Sequence, residues 1–308
     1  MERLPKLIAV VGPTASGKTA LGIRIAEELA ARRGAGPAAE IVSADSRQIY
    51  RGMDIGTAKP DAAERAAVPH HLIDIRNPDE EYTVADYQRD AIGAIRDIVA
   101  RGRVPILVGG TGLYVRAVID HLDIPRAAPD PAIRAAIEKD IEAKGLAAVF
   151  AALVARDPEA AYVVDPHNPR RVVRALEIAI ATGEPFTAQQ RRRPPLFETL
   201  ELGINIPPDT LRGRIAQRID TMMRDGLVEE VRALVARYGD GIPALDAIGY
   251  REIVAFLRGG GTLDEAVARM KINTARYAKR QMTWFKKDHA IQWIASQEEA
   301  LARANAFL

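Results

Sequence analysis

The feature that most constrains the fold of this chain is a glycine-rich segment near its start. Residues 12–19 match the phosphate-loop pattern G-x-x-x-x-G-K-[ST]. They follow an apolar strand candidate, Leu7–Val11, and precede a helix candidate, Thr19–Arg32. Backbone N–H groups of such a loop converge on phosphate oxygens, and the start of the helix adds its positive dipole end. The candidate phosphate-binding residues are Gly12, Pro13, Thr14, Ala15, Ser16, Gly17, Lys18 and Thr19.

Further strand candidates indicate that the loop belongs to a parallel sheet. They are Glu40–Ala44, Val104–Val108 and Leu200–Ile206. Val84–Arg101 has the apolar spacing of a helix and lies between the first two. Strands that alternate with helices over short connections predict an α/β fold: a P-loop NTPase-like parallel sheet flanked by helices.

The character of the sequence changes near residue 126. Ala127–Arg156 is alanine-rich with helical spacing, and Arg170–Ala181 is a further helix candidate. We therefore expect an inserted all-helical domain at 126–196. The P-loop core is then discontinuous, formed by 1–125 and 197–308, and we expect it to be helical from Asp209 onward.

Composition excludes several classes of protein. The chain has no cysteine, so disulfides and cysteine-ligated zinc are ruled out, which suits a reducing cytoplasm. Its five histidines lack metal-ligand spacing. The net charge is only +2, so any argument for a nucleic-acid partner depends on where the arginines lie. The first apolar run is too short for a secretion signal, and no stretch reaches the roughly 20 apolar residues of a membrane span. We expect a cytoplasmic protein without membrane attachment.

Asp45 directly follows the strand candidate Glu40–Ala44. Ligands of open parallel sheets bind at the carboxyl ends of the strands, so this carboxylate is expected to face the phosphate site. From its position it is a general base, a water-mediated magnesium ligand, or only a helix-capping or turn acid.

The end of the strand candidate Val104–Val108 argues against hydrolysis of a nucleotide. An NTP hydrolase usually carries a magnesium-binding acid there. Here the strand runs into Gly109-Gly110-Thr111-Gly112, and no N-K-x-D segment for guanine is present. A GTPase or motor ATPase is therefore disfavoured.

Taken together, the motifs closely resemble those of the bacterial tRNA dimethylallyltransferases, also called tRNA isopentenyltransferases. The resemblance covers nearly the whole chain. It is carried by the segments 12–19, 45–51, 54–60, 70–74, 109–114, 170–177, 247–252 and 278–285.

The resemblance implies a reaction and its partners. A dimethylallyl group would pass from dimethylallyl pyrophosphate to N6 of the adenosine 3′ to the anticodon, in tRNAs that read codons beginning with U. The products would be N6-(dimethylallyl)adenosine and pyrophosphate. The partners would be dimethylallyl pyrophosphate and the anticodon stem-loop of tRNA, with Mg²⁺ as cofactor and a monomeric enzyme.

The resemblance also implies roles for single residues. Asp45 would be the base, while Lys18, Arg218 and a magnesium ion on Thr19 would hold the pyrophosphate. The residues expected to contact tRNA are Asp45, Ser46, Arg47, Gln48, Thr111, Arg134, Arg170, Arg171, Val172, Val173 and Arg174.

Three alternatives remain open from the residues alone. They are an adenylate isopentenyltransferase acting on free AMP, a P-loop small-molecule kinase, and a non-catalytic RNA-binding NTPase. Five basic residues near the C-terminus are equally consistent with RNA contacts and with ordinary surface charge: Arg276, Lys279, Arg280, Lys286 and Lys287. Trp284 and Trp293 are expected in the core of helical segments, and the basic run Arg191–Arg193 receives no role.

Overall fold

A computed structural model describes residues 3–34, 38–124, 130–189 and 193–308. The chain divides into two compact units. The core unit comprises residues 1–119 and 196–308, and the second unit comprises 120–195. The boundary expected between residues 125 and 126 lies outside the described residues.

The core unit contains a six-stranded sheet in which every neighbouring pair is parallel. The strands are β1 Lys6–Val11, β2 Ala39–Ala44, β3 His70–His71, β4 Val104–Gly109, β5 Glu198–Ile204 and β6 Gln292–Ile294. Their order is β3-β2-β4-β1-β5-β6, so β1 and β4 are central. This confirms the predicted fold class.

The described residues form thirteen α-helices, and the five that follow β5 confirm a mainly helical C-terminal region. They are α1 Lys18–Arg33, α2 Ala62–Ala67, α3 Val84–Ala100, α4 Gly112–Ile119, α5 Pro131–Lys144, α6 Leu146–Arg156, α7 Ala160–Val163, α8 Pro169–Thr182, α9 Pro208–Arg224, α10 Leu227–Tyr238, α11 Tyr250–Leu257, α12 Leu263–Phe285 and α13 Gln297–Phe307. None of these helices is long and apolar enough to cross a membrane.

The sheet is buried on both faces, which explains its continuous apolar strands. Because side chains alternate along a strand, Leu7 and Ala9 of β1 lie in one apolar cluster while Ile8 and Val10 lie in the other. Helices cover both faces and leave the carboxyl edge of the central strands to the loops that follow them. That edge is where the predicted site residues lie.

Local signals set several helix boundaries. Thr83 accepts a hydrogen bond from the Asp86 N–H and begins α3 with a capping box. Asn168 caps α8, whose first residue is Pro169, and Gly183 ends that helix in the left-handed conformation. These caps explain why the sequence predicted both helices to within one or two residues.

The structure corrects the sequence analysis at two strands and one tryptophan. β3 and β6, of two and three residues, were not predicted. Trp293 was expected in a helix but lies in β6. Trp284 was expected in the core, yet 38% of its surface is exposed on α12. Helical spacing alone places a residue on a face and does not establish that the face is covered.

Among its described residues the second unit is mainly helical and contains α5 to α8. It has an apolar cluster of its own, which includes Ile137, Leu153, Val172 and Leu176. All members of this cluster come from residues of the second unit.

Candidate active site

The phosphate loop connects β1 to α1 at the carboxyl edge of the sheet. Gly12 has φ +153°, and a Cβ added there would lie 3.2 Å from the carbonyl oxygen of Ile204. Gly17 has φ +89° and leads directly into the first turn of α1. Both positions therefore require glycine, which leaves the loop backbone open toward a ligand.

Two side chains of the loop are arranged for an anion. The ammonium group of Lys18 donates to the carbonyl oxygen of Pro13 at 2.6 Å. Burial lowers the pKa of Lys18 to about 8; the charge of Asp45 acts in the opposite direction and that of Arg218 in the same direction. The hydroxyl of Ser16 is buried and has no hydrogen-bond partner among the described residues. A phosphate oxygen would accept a hydrogen bond from this hydroxyl and favour the charged form of Lys18.

Arg218 approaches the loop from α9. Burial lowers its pKa, which the charge of Glu64 partly offsets, and the guanidinium remains charged at neutral pH. A partly desolvated arginine beside a glycine-rich loop is suited to hold an anion.

One cavity of about 320 Å³ brings these groups together. Its lining includes the phosphate-loop residues Thr14, Ala15, Gly17, Lys18 and Thr19, together with Asp45, Gln48 and Arg218. A wider cleft of about 900 Å³ shares Ala15, Gly17 and Arg218 with this cavity. All of these residues belong to the core unit.

Asp45 lies in a turn immediately after β2. Its Oδ1 accepts a hydrogen bond from the Arg47 N–H at 2.8 Å, the pattern of an Asx turn. No helix begins here, so the helix-capping interpretation is wrong. Asp45 belongs to a turn and also lines the cavity, so its place in the turn is compatible with a role in the active site. The turn fixes one carboxylate oxygen, and no described residue donates to the other.

The residues after Asp45 are tied to neighbouring loops. The Ser46 N–H donates to the hydroxyl of Thr111 at 3.1 Å. The Gln48 side chain accepts from the Ser43 hydroxyl at 3.1 Å and donates to the carbonyl oxygens of Thr57 and Ala58. Asp45 and Gln48 are thereby held at the wall of the cavity, with Ser46 and Thr111 joined beside it.

The carboxyl end of β4 has no room for a side chain. A Cβ on Gly109 would lie 2.2 Å from the carbonyl oxygen of Ala44, and one on Gly110 would lie 2.4 Å from the Gln281 amide nitrogen. The strand therefore ends in bare backbone rather than in an acid.

Two cavity residues on α12 were not identified as site residues from the sequence. Gln281 is buried; its oxygen accepts from the Thr14 N–H and its nitrogen donates to the Gly110 carbonyl, both at 2.8 Å. Tyr277 lies beside Asp45, and burial, reinforced by the negative charge of Asp45, raises its pKa to about 12. For Gln281 the one available signal was its place in the resembling segment 278–285, whereas Tyr277 lies just before that segment.

A second structural anchor is Glu230 on α10. Its carboxylate accepts hydrogen bonds from the N–H groups of Asp54, Ile55 and Gly56 at 2.7–3.1 Å and from the Tyr250 hydroxyl at 2.6 Å. Consecutive N–H groups that converge on one anion form a nest. This nest fixes residues 54–56, which lead directly to the cavity residues Thr57 and Ala58.

The remaining predicted residues lie in the second unit. Arg134 and Arg174 both pair with the buried carboxylate of Glu177, at 3.0 and 2.8 Å. These ion pairs hold the pKa of Glu177 below its ordinary value, against the opposing effect of burial. Arg170 and Arg171 are exposed.

Val172 and Val173 were expected among the tRNA contacts, but both are buried in the apolar cluster of the second unit. Their side chains pack in the core of this unit and are not accessible to a ligand. In the basic run, Arg193 pairs with Asp123, whereas Arg191 and Arg192 lie outside the described residues.

Comparison with known proteins identifies the family of this chain. A family model described as IPP transferase matches residues 48–288. The tRNA dimethylallyltransferase of Roseiflexus sp. is 50% identical over 282 residues, which cover 91% of this chain and 90% of that relative.

Solved structures of two transferases are also similar to this chain. The tRNA isopentenylpyrophosphate transferase of Bacillus halodurans is 40% identical with a TM-score of 0.70, over 98% of this chain and 95% of that one. A eukaryotic dimethylallyltransferase acting on tRNA is 28% identical with a TM-score of 0.80, over 98% and 79% of the two chains. Because the family model matches most of the sequence and such relatives match nearly all of it, the chain belongs to the IPP transferase family.

Proposed function

We propose that this protein transfers a dimethylallyl group from dimethylallyl pyrophosphate to N6 of the adenosine 3′ to the anticodon, in tRNAs that read codons beginning with U. One observation carries the proposal: the phosphate loop, Arg218 and Asp45 line a single cavity. In the proposal, the phosphate loop and Arg218 hold the pyrophosphate of one reactant. The carboxylate of Asp45 acts on the amine of the other reactant. The names of the similar proteins support the same substrates.

Asp45 supplies the base. The exocyclic amine of adenine is a poor nucleophile because its lone pair is delocalised into the ring. As N6 forms a bond to C1 of the allyl group, the bond from C1 to the pyrophosphate oxygen breaks and a proton leaves N6. The oxygen of Asp45 that is not engaged with Arg47 accepts that proton.

The phosphate loop supports the leaving group. Pyrophosphate departs with the electron pair of the broken C–O bond, so its negative charge grows in the transition state. Lys18, Arg218 and the loop N–H groups are fixed around the cavity before the reaction and stabilise that charge where it develops.

The residues of the site fit a magnesium ion that arrives with the pyrophosphate. Mg²⁺ commonly takes only one or two protein ligands and fills its other positions with phosphate oxygens and water. Thr19 lines the cavity beside Lys18 and offers a hydroxyl. The described residues contain no group of three or more His, Cys, Asp or Glu side chains that could hold a metal alone. When bound, the ion neutralises charge on the leaving group.

Recognition of tRNA is divided between two sets of residues in the proposal. Ser46, Arg47, Gln48 and Thr111 contact the target adenosine, which must leave its loop to reach the carboxylate. Arg134, Arg170, Arg171 and Arg174 give the second unit the role of a tRNA-binding domain. The enzyme acts in the cytoplasm as a monomer.

The test is transfer of label from dimethylallyl pyrophosphate, with magnesium, to unmodified tRNA or to AMP. We expect label in tRNA alone, located by nuclease digestion at the adenosine 3′ to the anticodon. Label in AMP alone would establish the adenylate enzyme instead. Phosphoryl transfer from labelled ATP, without prenylation, would establish a kinase.

A further inference from the structure

Lys59 is a buried cation for which the proposed reaction has no use. Its side chain is 2% exposed. Its ammonium group donates to the carbonyl oxygen of Tyr50, to a carboxylate oxygen of Asp54 at 2.6 Å and to the carboxylate of Asp74. An ammonium group has three N–H donors, so these three acceptors satisfy it completely. Lys59 is therefore held by the protein itself and has no donor left for a ligand.

Lys18 is the contrasting lysine of the same cavity. Both lysines line the cavity that contains Asp45. Among the described residues, however, the ammonium group of Lys18 has one hydrogen-bond partner, the carbonyl oxygen of Pro13. Lys18 thus keeps two N–H donors for a phosphate, whereas Lys59 keeps none. The two buried lysines are arranged for different tasks.

Lys59 connects two segments, 54–60 and 70–74, to which the sequence assigns no individual roles. Within the first segment, the Lys59 N–H donates to the carbonyl oxygen of Asp54 at 3.1 Å and closes a tight turn. In the second, Asp74 accepts from Lys59 and, at 2.9 Å, from Arg65. Burial acts to raise the pKa of Asp74, but the hydrogen bonds from Lys59 and Arg65 outweigh it and hold that pKa below its ordinary value. Asp74 is therefore charged at neutral pH, and an ion pair joins the two segments.

Both of these segments hold Gln48. The Asp74 N–H donates to the backbone carbonyl oxygen of Gln48 at 3.2 Å. The side-chain nitrogen of Gln48 donates to the carbonyl oxygens of Thr57 at 3.3 Å and Ala58 at 3.2 Å. With the bond from Lys59 to Asp74, these contacts form a closed ring around Gln48. The ring fixes the backbone and the side chain of Gln48 together, and it thereby sets the direction of the amide.

The same two segments contain backbone conformations that need support. Ala58, Leu72 and Asp74 have φ angles of +50°, +62° and +58°, in the left-handed region that residues other than glycine rarely adopt. Such conformations persist where the surrounding contacts over-determine them. Lys59 directly follows Ala58 and binds Asp74, so its ammonium group supports two of the three.

We propose that Lys59 is a positioning residue, which orients Gln48 through this ring toward the adenosine whose amine approaches Asp45. Lys59 touches neither substrate. Without its ammonium group, residues 57–58 and Asp74 are no longer joined, and the amide of Gln48 loses its fixed direction. The inference rests on the proposed function, because it explains how a residue of that same site is held in place.

A double-variant cycle tests the route from Lys59 to Gln48. Q48A should lower kcat/KM for tRNA about tenfold, because a hydrogen bond to the base is lost. K59M keeps the length of the side chain but removes its donors, and it should lower kcat/KM for tRNA by a similar factor. The variant that combines K59M with Q48A should be less than about twofold worse than Q48A alone, because the two residues belong to one network.

The second substrate provides a readout that a general loss of structure would change. In K59M the KM for dimethylallyl pyrophosphate should stay within about twofold of the wild type, because Lys59 has no N–H free for the diphosphate. K271M is the matched control, since Lys271 is paired with Asp220 and does not line the cavity. If K59M fails to fold, D74N replaces it in the cycle. D74N weakens the same ion pair and keeps the backbone N–H that donates to Gln48.

The outcomes keep the positioning role distinct from the proposed function. If the losses in K59M and Q48A multiply in the double variant, Lys59 acts independently of Gln48 and the proposal is wrong. A wild-type kcat/KM for tRNA in either single variant also overturns it. A large rise in the KM for dimethylallyl pyrophosphate in K59M would make Lys59 a diphosphate ligand instead. In each of these cases the wild type still modifies tRNA and the function stands. Absence of prenyl transfer to any tRNA by the wild type refutes the proposed function, and the role of Gln48 with it.

Discussion

Asp45 is the proposed base, and a turn holds one of its carboxylate oxygens. Its Oδ1 is held by the Arg47 N–H, which orients the carboxylate toward the cavity. D45N preserves the shape and the hydrogen bond but cannot accept a proton. We expect kcat to fall on the order of 10²- to 10⁴-fold while the KM for tRNA changes by less than about threefold. D209N, at a side chain that is 87% exposed, is the control in the same steady-state assay. A D45N kcat close to that of the wild type would remove the base role.

If Lys18 holds the pyrophosphate as proposed, binding of the pyrophosphate should depend on pH. Its pKa is lowered to about 8 by burial, so the free enzyme loses this charge as the pH rises through 8. The pyrophosphate binds the charged form, and kcat/KM for dimethylallyl pyrophosphate should therefore decline above about pH 8. An arginine stays charged over this range, so K18R should have a flatter profile, whatever its absolute rate. Equal slopes for K18R and the wild type between pH 7 and 9.5 would contradict this assignment.

Helix α10 anchors the wall of the cavity through the carboxylate of Glu230. E230Q replaces an acceptor of three backbone N–H groups by an amide whose nitrogen cannot accept. We expect the free energy of unfolding in urea to fall by about 2–3 kcal/mol, because hydrogen bonds to a charged group are lost at a partly buried site. E229Q changes the exposed neighbour on the same helix turn and should alter stability by less than about 0.5 kcal/mol. Equal losses in the two variants would show that the nest is not the cause.

The elements that sequence could predict are those whose signals are local. The phosphate loop, with its strand and helix, follows from the spacing of glycines and apolar residues between Leu7 and Arg32. The strand-end rule placed Asp45 at the correct edge of the sheet. Strands as short as β3 and β6 carry too few residues for a periodic pattern, and their pairing depends on neighbours already in place.

The supporting contacts of the site could not be predicted, because they join distant parts of the chain. Gln281 bonds to Thr14 across 267 positions and to Gly110 across 171, and Glu230 bonds to Asp54 across 176. Nothing in the local sequence of Gln281 distinguishes a buried bridge from a solvated helix residue. Trp284 shows the reverse case, since an apolar residue with helical spacing proved to be exposed.

Each of the two units has an apolar core of its own. The clusters on the two faces of the sheet draw only on the core unit, and the third cluster draws only on residues 120–195. All described residues that line the 320 Å³ cavity belong to the core unit. Folding and pyrophosphate binding are therefore expected to be separable from the second unit.

The ends of the second unit make this testable. The Arg193 N–H donates to the carbonyl oxygen of His121 at 3.2 Å, so the two chain segments lie side by side and a short linker can join them. Replacing residues 124–192 by a short Gly-Ser linker should leave a cooperatively unfolding protein that binds dimethylallyl pyrophosphate within about threefold of the wild type, because loop closure costs little over so short a span. The same protein should transfer no label to tRNA above background, since it lacks Arg134, Arg170, Arg171 and Arg174. K18A in the deleted protein is the control, and it should abolish pyrophosphate binding. A deletion that fails to fold would show that the core unit depends on the second unit, and one that modifies tRNA at the wild-type rate would show that the arginines do not bind it.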